Sequence, residues 1–263
     1  MIYGYSGNVL KTVTLSEVIP WIPAMLLYVG SIYSGSKALA HLSIPVFLLS
    51  HGASDVILML CDSHMPTGGV HASMPFKIGG MMLAFWSAHY NAELLDLVWI
   101  ILYTLFAGAY RTLSFWYTTS QWPYCGLTAL QRQYLNNMLG FASLLSTAVL
   151  LGHHNHVGNH FPHLGSVRFY IGCLLSGMLS WAVNLVFDNI SSKTRPSSIE
   201  AMQLASKVMA LILSMHVFPV AHSLILWAAI LLGVVGDVLH MIGKLMEEKG
   251  NHNKGLSDIM IGP

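Results

Sequence analysis

The chain is a succession of apolar stretches, and this feature limits its possible folds more than any other. Of its 263 residues, 54% are hydrophobic and only 9% are charged, whereas soluble domains average about 25% charged residues. A membrane-spanning helix needs about 20 mostly apolar residues, and stretches of roughly that length recur along the sequence. The sequence therefore predicts an all-α polytopic membrane helix bundle.

We predict eight transmembrane helices from the apolar stretches and the polar residues between them. One transmembrane domain would cover residues 1–246, and the polar, glycine-rich residues 247–263 would form a mobile, disordered tail. The third span is short for a bilayer. The expected bounds are Val18–Ala40, Ile44–Asp62, Phe76–Tyr90, Leu94–Trp116, Leu130–Leu151, Val167–Asp188, Ser197–Phe218 and Val220–Met246.

The distribution of basic residues in short loops predicts the orientation. If the N-terminus is cytosolic, an even number of spans places both termini in the cytosol. Only Arg168 and Lys37 then fall on the opposite side. The residues placed on or near the cytosolic side are Lys11, Lys77, Arg111, Arg132, Lys193, Arg195, Lys244, Lys249 and Lys254.

The seventh predicted span carries a lysine, Lys207, near its middle. Glu200 and Gln203 precede it at helical spacing, so the three side chains share one face, which Ser214 extends. A charge at that depth costs a few kcal/mol, so it should face a bundle or a wet cavity, where a lysine suits an anion. Alternatively, the lysine extends out of the membrane or pairs with an acid such as Asp55 or Asp188.

The fifth predicted span opens with amide side chains beside a tyrosine. Asn136 and Asn137 offer donors and acceptors that match the edge of a planar heterocycle, and Tyr134 can stack on its face. The same residues are also common at helix ends and membrane interfaces. This stretch therefore predicts either a base-reading site or an ordinary helix mouth.

Other predicted spans carry polar stripes. In the second span, Ser50 and Asp55 belong to i, i+4 pairs with Ser54 and His51. Tyr28 heads a row of tyrosines and serines in the first span. These stripes predict a shared aqueous path, although small polar residues also permit close packing of helices.

The loop after the fifth predicted span is rich in histidine. Imidazoles at i, i+4 bind zinc or copper when the segment is helical. Glycine and proline interrupt the segment, which favours a solvated loop without metal. The histidines are His153, His154, His156, His160 and His163.

No catalytic motif appears in the sequence. Nucleophile elbows, phosphate-binding loops and paired zinc-ligand motifs are absent, so we expect neither an enzyme nor a bound cofactor. The net charge is +1, and scattered basic residues provide no surface for nucleic acid.

Most of the chain, from Trp21 onward, resembles the nucleotide-sugar transporters of the drug/metabolite transporter superfamily. The resemblance is clearest in residues 21–53, in Phe106–Tyr110 and in residues 133–137. It is closest to the small Golgi branch called transmembrane protein 241. Tyr134–Asn137 resembles the Phe-Tyr-Asn-Asn motif of GDP-mannose carriers, which contacts the nucleobase.

A second family motif, Gly-Ala-Leu-Asn-Lys, contacts the sugar and phosphate. Here the terminal Lys207 is kept, Gln203 replaces the glycine and Ser206 replaces the asparagine. Leu135 likewise replaces the tyrosine of the base motif. The resemblance thus implies that Lys207 binds phosphate and that Gln203, Ser206 and Ser198 bind sugar hydroxyls or phosphate. These replacements argue against GDP-mannose, and the branch that the chain resembles is associated with UDP-N-acetylglucosamine.

The family fold has ten helices in two inverted repeats of five, with the substrate in a central cavity. Eight are expected here, so the resemblance implies that the first two are missing. The main hypothesis is a Golgi antiporter, or one in the endoplasmic reticulum, that imports UDP-N-acetylglucosamine and returns UMP. GDP-mannose or another nucleotide sugar is the alternative cargo.

Two other hypotheses remain open from the sequence. One is a transport-incompetent, truncated membrane protein that pairs with itself or with a full-length relative. The other is a metal or metabolite carrier that uses the histidine-rich loop. The expected partners are thus a nucleotide sugar, a nucleoside monophosphate and membrane lipid.

Overall fold

A computed structural model describes residues 15–61, 68–89, 93–119, 127–152, 165–191, 196–217 and 223–260. Within these ranges the structure contains eight long helices and no strand, which confirms the all-α prediction. A turn of α-helix at Leu15–Val18 and a 3-10 turn at Ile19–Trp21 lead into the first of them. The helices are α1 (Ile22–His41), α2 (Ile44–Cys61), α3 (Gly68–His89), α4 (Leu94–Thr119), α5 (Ala129–Leu150), α6 (Val167–Ser191), α7 (Pro196–Val217) and α8 (Leu224–Met260).

Five helical segments among the described residues are long and apolar enough to cross a bilayer, so the protein is a multi-pass membrane protein. Helices α3 and α5 fall outside this set because polar residues interrupt them, for example Lys77 and Asn136. In α6, residues 167–180 are apolar and exposed, as suits contact with lipid. The five segments are Leu15–His41, Ile44–Cys61, Leu94–Tyr117, Ser197–Val217 and Leu224–Gly250.

The ends of the helices agree with the predicted bounds to different degrees. Helix α7 begins and ends within one residue of the prediction, with Pro196 in its first turn, where a missing N–H is tolerated. The prediction for α3 was wrong by eight residues, since the helix begins at Gly68 and includes Pro75. Lys77 therefore lies inside a helix and not at its cytosolic mouth. Tertiary packing sustains proline within membrane helices.

Helix α8 continues to Met260, over most of the segment for which we expected a mobile tail. Its polar part is held by specific contacts. The carboxylate of Glu248 accepts hydrogen bonds from the Ser197 backbone N–H and hydroxyl, both at 2.7 Å. Lys244 pairs with Glu247 at 3.4 Å. The first N–H groups of a helix have no partner within it, so an acid there is favourable, and this contact attaches the polar part of α8 to the start of α7.

The chain divides into two compact units. Unit 1 comprises Met1–Val29 and Gln121–Thr194, and unit 2 comprises Gly30–Ser120 and Arg195–Pro263.

In unit 2, α3 and α8 pack with their backbones almost in contact. A Cβ atom on Gly80 would lie 2.9 Å from the Gly233 nitrogen and 3.1 Å from the Ala229 carbonyl oxygen. A Cβ atom on Gly236 would lie 3.0 Å from the backbone nitrogen of Lys77. Small residues four apart, as at Ala229 and Gly233, permit such close crossings in membranes. This crossing fixes Lys77 beside Asp237, the residue after Gly236.

A buried apolar cluster in unit 2 joins residues of six helices. It lies around Ile100 and Ala229, both completely buried, and side chains of α2 and α7 pack into it. Its members are Ala38, Leu42, Val46, Leu49, Ala84, Ile100, Leu211, Leu226, Ala229 and Ile230. The cluster anchors the helices from which the charged side chains described below project.

In unit 1, α5 begins with a capping box. The Thr128 hydroxyl accepts a hydrogen bond from the Gln131 backbone N–H at 3.3 Å, and the Gln131 side chain accepts one from the Thr128 N–H at 2.8 Å. Two N–H groups that the helix cannot pair are thereby satisfied. The cap fixes where α5 starts and so which face carries the amides at 136 and 137.

Candidate functional site

Five charged side chains of unit 2 meet, and each comes from a different helix. Two are carboxylates and three are cations, so the group has a formal excess of one positive charge. We call this group the charged cluster: Asp55 of α2, Lys77 of α3, Arg111 of α4, Lys207 of α7 and Asp237 of α8.

Asp237 lies between two lysines. The Lys77 ammonium nitrogen is 2.9 Å from Asp237 Oδ1. The Lys207 nitrogen is 3.3 Å from both Asp237 oxygens. Opposite charges about 4 Å apart attract by about 4 kcal/mol at an effective dielectric constant of 20. This attraction offsets the removal of the charges from water and explains how two lysines are stable within membrane helices.

Asp55 is the second acceptor of the cluster. It accepts a hydrogen bond from the Arg111 guanidinium and lies 3.5 Å from the Lys77 nitrogen and 3.7 Å from that of Lys207. Both lysines therefore contact both carboxylates. The contact between Lys207 and Asp55, one of two pairings that we considered from the sequence, is therefore present. The side chain of Asp188, the other acid considered, lies outside the described residues.

A neutral histidine extends the cluster through α2 and α4. Arg111 Nη2 lies 2.6 Å from His51 Nε2, and His51 Nδ1 lies 2.6 Å from the Tyr103 hydroxyl. A guanidinium can only donate, so Nε2 must accept and the ring proton is assigned to Nδ1. The ring therefore orients the guanidinium toward Asp55 without adding a charge.

The space beside the lysines is small in this structure. A cavity of about 20 Å³ lies against Gly52, Lys77, Lys207 and Asp237. That volume holds about one water molecule, whereas small-molecule sites measure about 300–1,000 Å³. Lys207 is thus locked in ion pairs, and this conformation differs from the open, wet cavity that the sequence analysis envisaged.

Two further polar contacts continue along the interface of α7 and α8. Glu200 Oε1 lies 3.6 Å from His240 Nε2, and Ser197 donates to Glu248 at the start of α7. The Nδ1 atom of His240 is buried without a hydrogen-bond partner among the described residues. Glu200 and Lys207 therefore share the face of α7 that contacts α8, as their spacing predicted.

Other predicted site residues of α7 do not enter the cluster. Gln203, Ser198 and Ser206 are exposed, and the Ser206 hydroxyl donates to the Gln203 carbonyl at 2.8 Å. The Ser50 hydroxyl of α2 is fully buried and donates to the Val46 carbonyl of its own helix at 3.0 Å. The Ser206 and Ser50 hydroxyls are thus both bonded within their own helices.

In unit 1, the two amides of α5 accept hydrogen bonds from aromatic residues. Asn136 is 4% exposed and accepts from Trp21 Nε1 at 3.0 Å. Asn137 is more exposed and accepts from the Tyr28 hydroxyl at 3.3 Å. Tyr134 is 42% exposed. The structure therefore brings Tyr28 to the amide pair, and Trp21 is a contact that the sequence analysis missed.

The sequence analysis also missed Lys77 and Asp237, and it assigned Arg111 to the cytosolic side. A lone acid in an apolar helix needs a partner, so Asp237 carried a signal that was not used. Because Lys77 and Arg111 belong to the cluster, the predicted orientation now depends on the remaining basic residues.

The histidine-rich loop, residues 153–164, lies outside the described residues. Among the residues that are described, no group of three histidine, cysteine or carboxylate side chains is placed to hold a metal ion.

No protein-family model matches the chain, but curated proteins do. The mouse protein named UDP-N-acetylglucosamine transporter TMEM241 is 29% identical over 85% of this chain and 74% of its own length. Its Xenopus laevis homologue is 26% identical over 85% of this chain and 75% of its own length.

A shorter similarity links the chain to a fungal carrier. The GDP-mannose transporter 2 of Neosartorya fischeri is 34% identical over 82 residues, which are 30% of this chain and 23% of that protein. These matches confirm the resemblance to nucleotide-sugar transporters. All three proteins are named as transporters, in agreement with a carrier and not an enzyme.

Proposed function

We propose that this protein is a Golgi antiporter that imports UDP-N-acetylglucosamine into the lumen and returns UMP to the cytosol. The observation that carries the proposal is the similarity, over 85% of the chain, to proteins named as transporters of this sugar nucleotide. A membrane-embedded group with excess positive charge is the physical feature that suits an anionic cargo. Both termini would face the cytosol.

We assign to Lys207 the binding of the phosphate groups of the nucleotide sugar. In a site of low dielectric constant, one positive charge stabilises a phosphate far more than it does in water. Asp55 holds Lys207 from α2 at 3.7 Å and would release it when phosphate binds. Transport requires no covalent chemistry, only alternating access to the bound ligand.

We assign the binding of the nucleobase to polar side chains of unit 1. Asn137 has a full amide edge and is exposed, and Tyr28 and Tyr134 supply hydroxyl and ring contacts. Asn136 would support them from its buried position beside Trp21. Uracil offers both donors and acceptors to such amides.

GDP-mannose is the second candidate cargo, because the fungal GDP-mannose transporter matches 30% of this chain at 34% identity. The two cargoes differ in the base as well as the sugar. A panel of UDP- and GDP-sugars therefore separates them directly.

The test is uptake of radiolabelled UDP-N-acetylglucosamine and GDP-mannose into proteoliposomes loaded with UMP or GMP. Lys207→Met is expected to lower uptake at least about tenfold, because a hydrogen bond to a charged group contributes about 1.5–3 kcal/mol. Lys244→Met is the matched control: it also removes a lysine, but one whose partner is Glu247 outside the cluster. Its uptake should equal that of the parent.

Equal uptake by Lys207→Met and the parent would contradict the role of Lys207. If the parent takes up no nucleotide sugar, the carrier proposal fails for this chain alone. Co-purification with a longer relative would then support the partner hypothesis.

A further inference from the structure

The carboxylate of Asp237 occupies the place where an anion between two lysines would bind. It lies 2.9 Å from Lys77 and 3.3 Å from Lys207. The Lys77 side chain is 3% exposed, and that of Lys207 is 19% exposed. An internal anion therefore holds both ammonium groups away from solvent.

We propose that Lys77 and Lys207 together form a phosphate subsite, and that Asp237 occupies this subsite in the empty carrier. Nucleotide phosphates bind there by displacing the carboxylate. The inference rests on the proposed function and adds to it a second lysine and an internal competitor.

The chemistry of the two anions favours the exchange. A carboxylate has one charge and two acceptor oxygens. A phosphate monoester has about −1.5 to −2 charge at pH 7 and three strong acceptor oxygens. Each ammonium has three N–H donors, so a phosphate between the lysines pairs more of them than Asp237 does. The excess positive charge of the cluster supports the larger anion.

A possible partner for the displaced carboxylate lies on the same face of α8. His240 is three residues further along α8, a spacing that places side chains next to each other. Its buried Nδ1 lacks a hydrogen-bond partner among the described residues, and its Nε2 lies 3.6 Å from Glu200. A released Asp237 turns away from Lys77 and Lys207 toward this Nδ1, which must carry a ring proton to donate to the carboxylate.

The wall of the subsite is a glycine. A Cβ atom on Gly52 would lie 3.6 Å from the Lys207 nitrogen and 4.0 Å from Asp237 Oδ1. The adjoining cavity of about 20 Å³ admits one water molecule. A phosphate therefore gains room here only when Asp237 leaves.

The experiment measures binding of UMP and inorganic pyrophosphate to the purified full chain by calorimetry, and by thermal stabilisation in detergent. Asp237→Asn removes the competitor and should lower the Kd for both ligands. If Asp237 blocks the subsite in about nine of ten molecules, the expected gain in affinity is about tenfold. Lys77→Met should weaken binding as much as Lys207→Met does.

Two variants serve as controls. Asp237→Glu keeps the carboxylate and should bind like the parent, which separates loss of charge from altered packing. Glu247→Gln removes an acid from the same helix, but one whose partner is Lys244 outside the cluster, and it should leave the Kd for pyrophosphate unchanged within about twofold.

The results separate this inference from the proposed function. If the parent binds UMP but Asp237→Asn binds it equally or more weakly, Asp237 is a structural partner and the inference is wrong, while the carrier proposal stands. Parent-like binding by Lys77→Met removes Lys77 from the subsite. If the parent neither binds nor transports nucleotides, both proposals fail.

Asp237→Asn leaves three cations with one carboxylate, Asp55, and this excess charge lowers the stability of the variant. If the variant does not purify in folded form, UMP or pyrophosphate present during solubilisation should restore folded protein, because a ligand that binds only the folded state stabilises it. Failure of both ligands to restore it would overturn the inference.

Discussion

The charged cluster of unit 2 and the amide contacts of unit 1 are stabilised in opposite ways. The cluster joins five helices through charges that have been removed from water. In unit 1, Asn136 and Asn137 accept neutral hydrogen bonds from Trp21 and Tyr28. A charge in the membrane must find a counter-charge, whereas an amide needs only a donor.

This difference implies different roles for partner residues. Removal of one member of the cluster leaves an unpaired charge in a medium that cannot solvate it. Removal of one aromatic donor in unit 1 leaves a neutral group that water can reach at Asn137. Substitutions in unit 2 should therefore affect stability most, and those in unit 1 mainly ligand contacts.

The largest loss is expected for Asp55→Ala. Asp55 contacts Arg111, Lys77 and Lys207, and removal of one partner from a buried ion pair costs about 3–5 kcal/mol. Thermal unfolding in detergent, followed by size-exclusion fluorescence, measures the change. Glu247→Ala, which breaks an exposed pair with Lys244, should change stability by less than about 1 kcal/mol. Equal stability of both variants would show that the cluster is not buried.

Gly80→Ala should have the next largest effect. Its Cβ atom would lie within 3.1 Å of backbone atoms of Gly233 and Ala229, which cannot rotate away. Overpacking of this kind costs about 1–3 kcal/mol, and it would also separate Lys77 from Asp237. In unit 1, Gly177→Ala meets no atom within 4 Å and should be neutral or stabilising by up to about 1 kcal/mol. A comparison of the two melting temperatures tests the α3–α8 contact.

Trp21→Phe should have a smaller effect, because the interaction it removes is neutral. The Trp21 indole donates to buried Asn136 at 3.0 Å, and such a bond contributes about 1 kcal/mol. Tyr28→Phe removes a 3.3 Å bond to the more exposed Asn137 and should destabilise the protein by less than about 0.5 kcal/mol. If Tyr28→Phe lowered stability more than Trp21→Phe, the assignment of buried and exposed amides would be reversed.

Gly52→Ala should have the smallest effect on stability of these substitutions, but it should lower transport activity. Its Cβ atom fits at 3.6 Å from the Lys207 nitrogen, and alanine in a helix is up to about 1 kcal/mol more favourable than glycine. The methyl group nevertheless fills space that a phosphate needs, so uptake should fall about tenfold, the effect of one methyl-sized misfit. Retained uptake in a stabilised variant would place the phosphate away from Gly52.

Local signals in the sequence predicted the helices and the residues on them. The apolar length of α7 fixed its ends within one residue, and helical spacing correctly placed Glu200 and Lys207 on one face. The amides at 136 and 137 were predicted from a motif of adjacent residues. Such features depend on neighbours along the chain, and a single sequence contains them.

The counter-charges could not be predicted in the same way. Lys207 pairs with Asp237, 30 residues away, and Arg111 with Asp55, 56 residues away. Which acid meets which lysine depends on how helices cross, and the close glycine contacts between α3 and α8 do not reveal from one sequence which helix is the partner of which. The prediction of α3 also began too late, because Pro75 resembles a helix boundary.

Helix α8 has a consequence for where the protein meets water. It contains 37 residues, so it is about 55 Å long at 1.5 Å per residue, whereas the hydrocarbon layer is about 30 Å thick. A helix of this length exceeds the hydrocarbon layer, so its polar last turns are expected beyond the lipid tails, and Glu248 lies near the end of its apolar span, Leu224–Gly250. The two hydrogen bonds between Ser197 and Glu248 therefore join α7 to α8 near the end of the apolar part of α8, and they oppose sliding of one helix along the other.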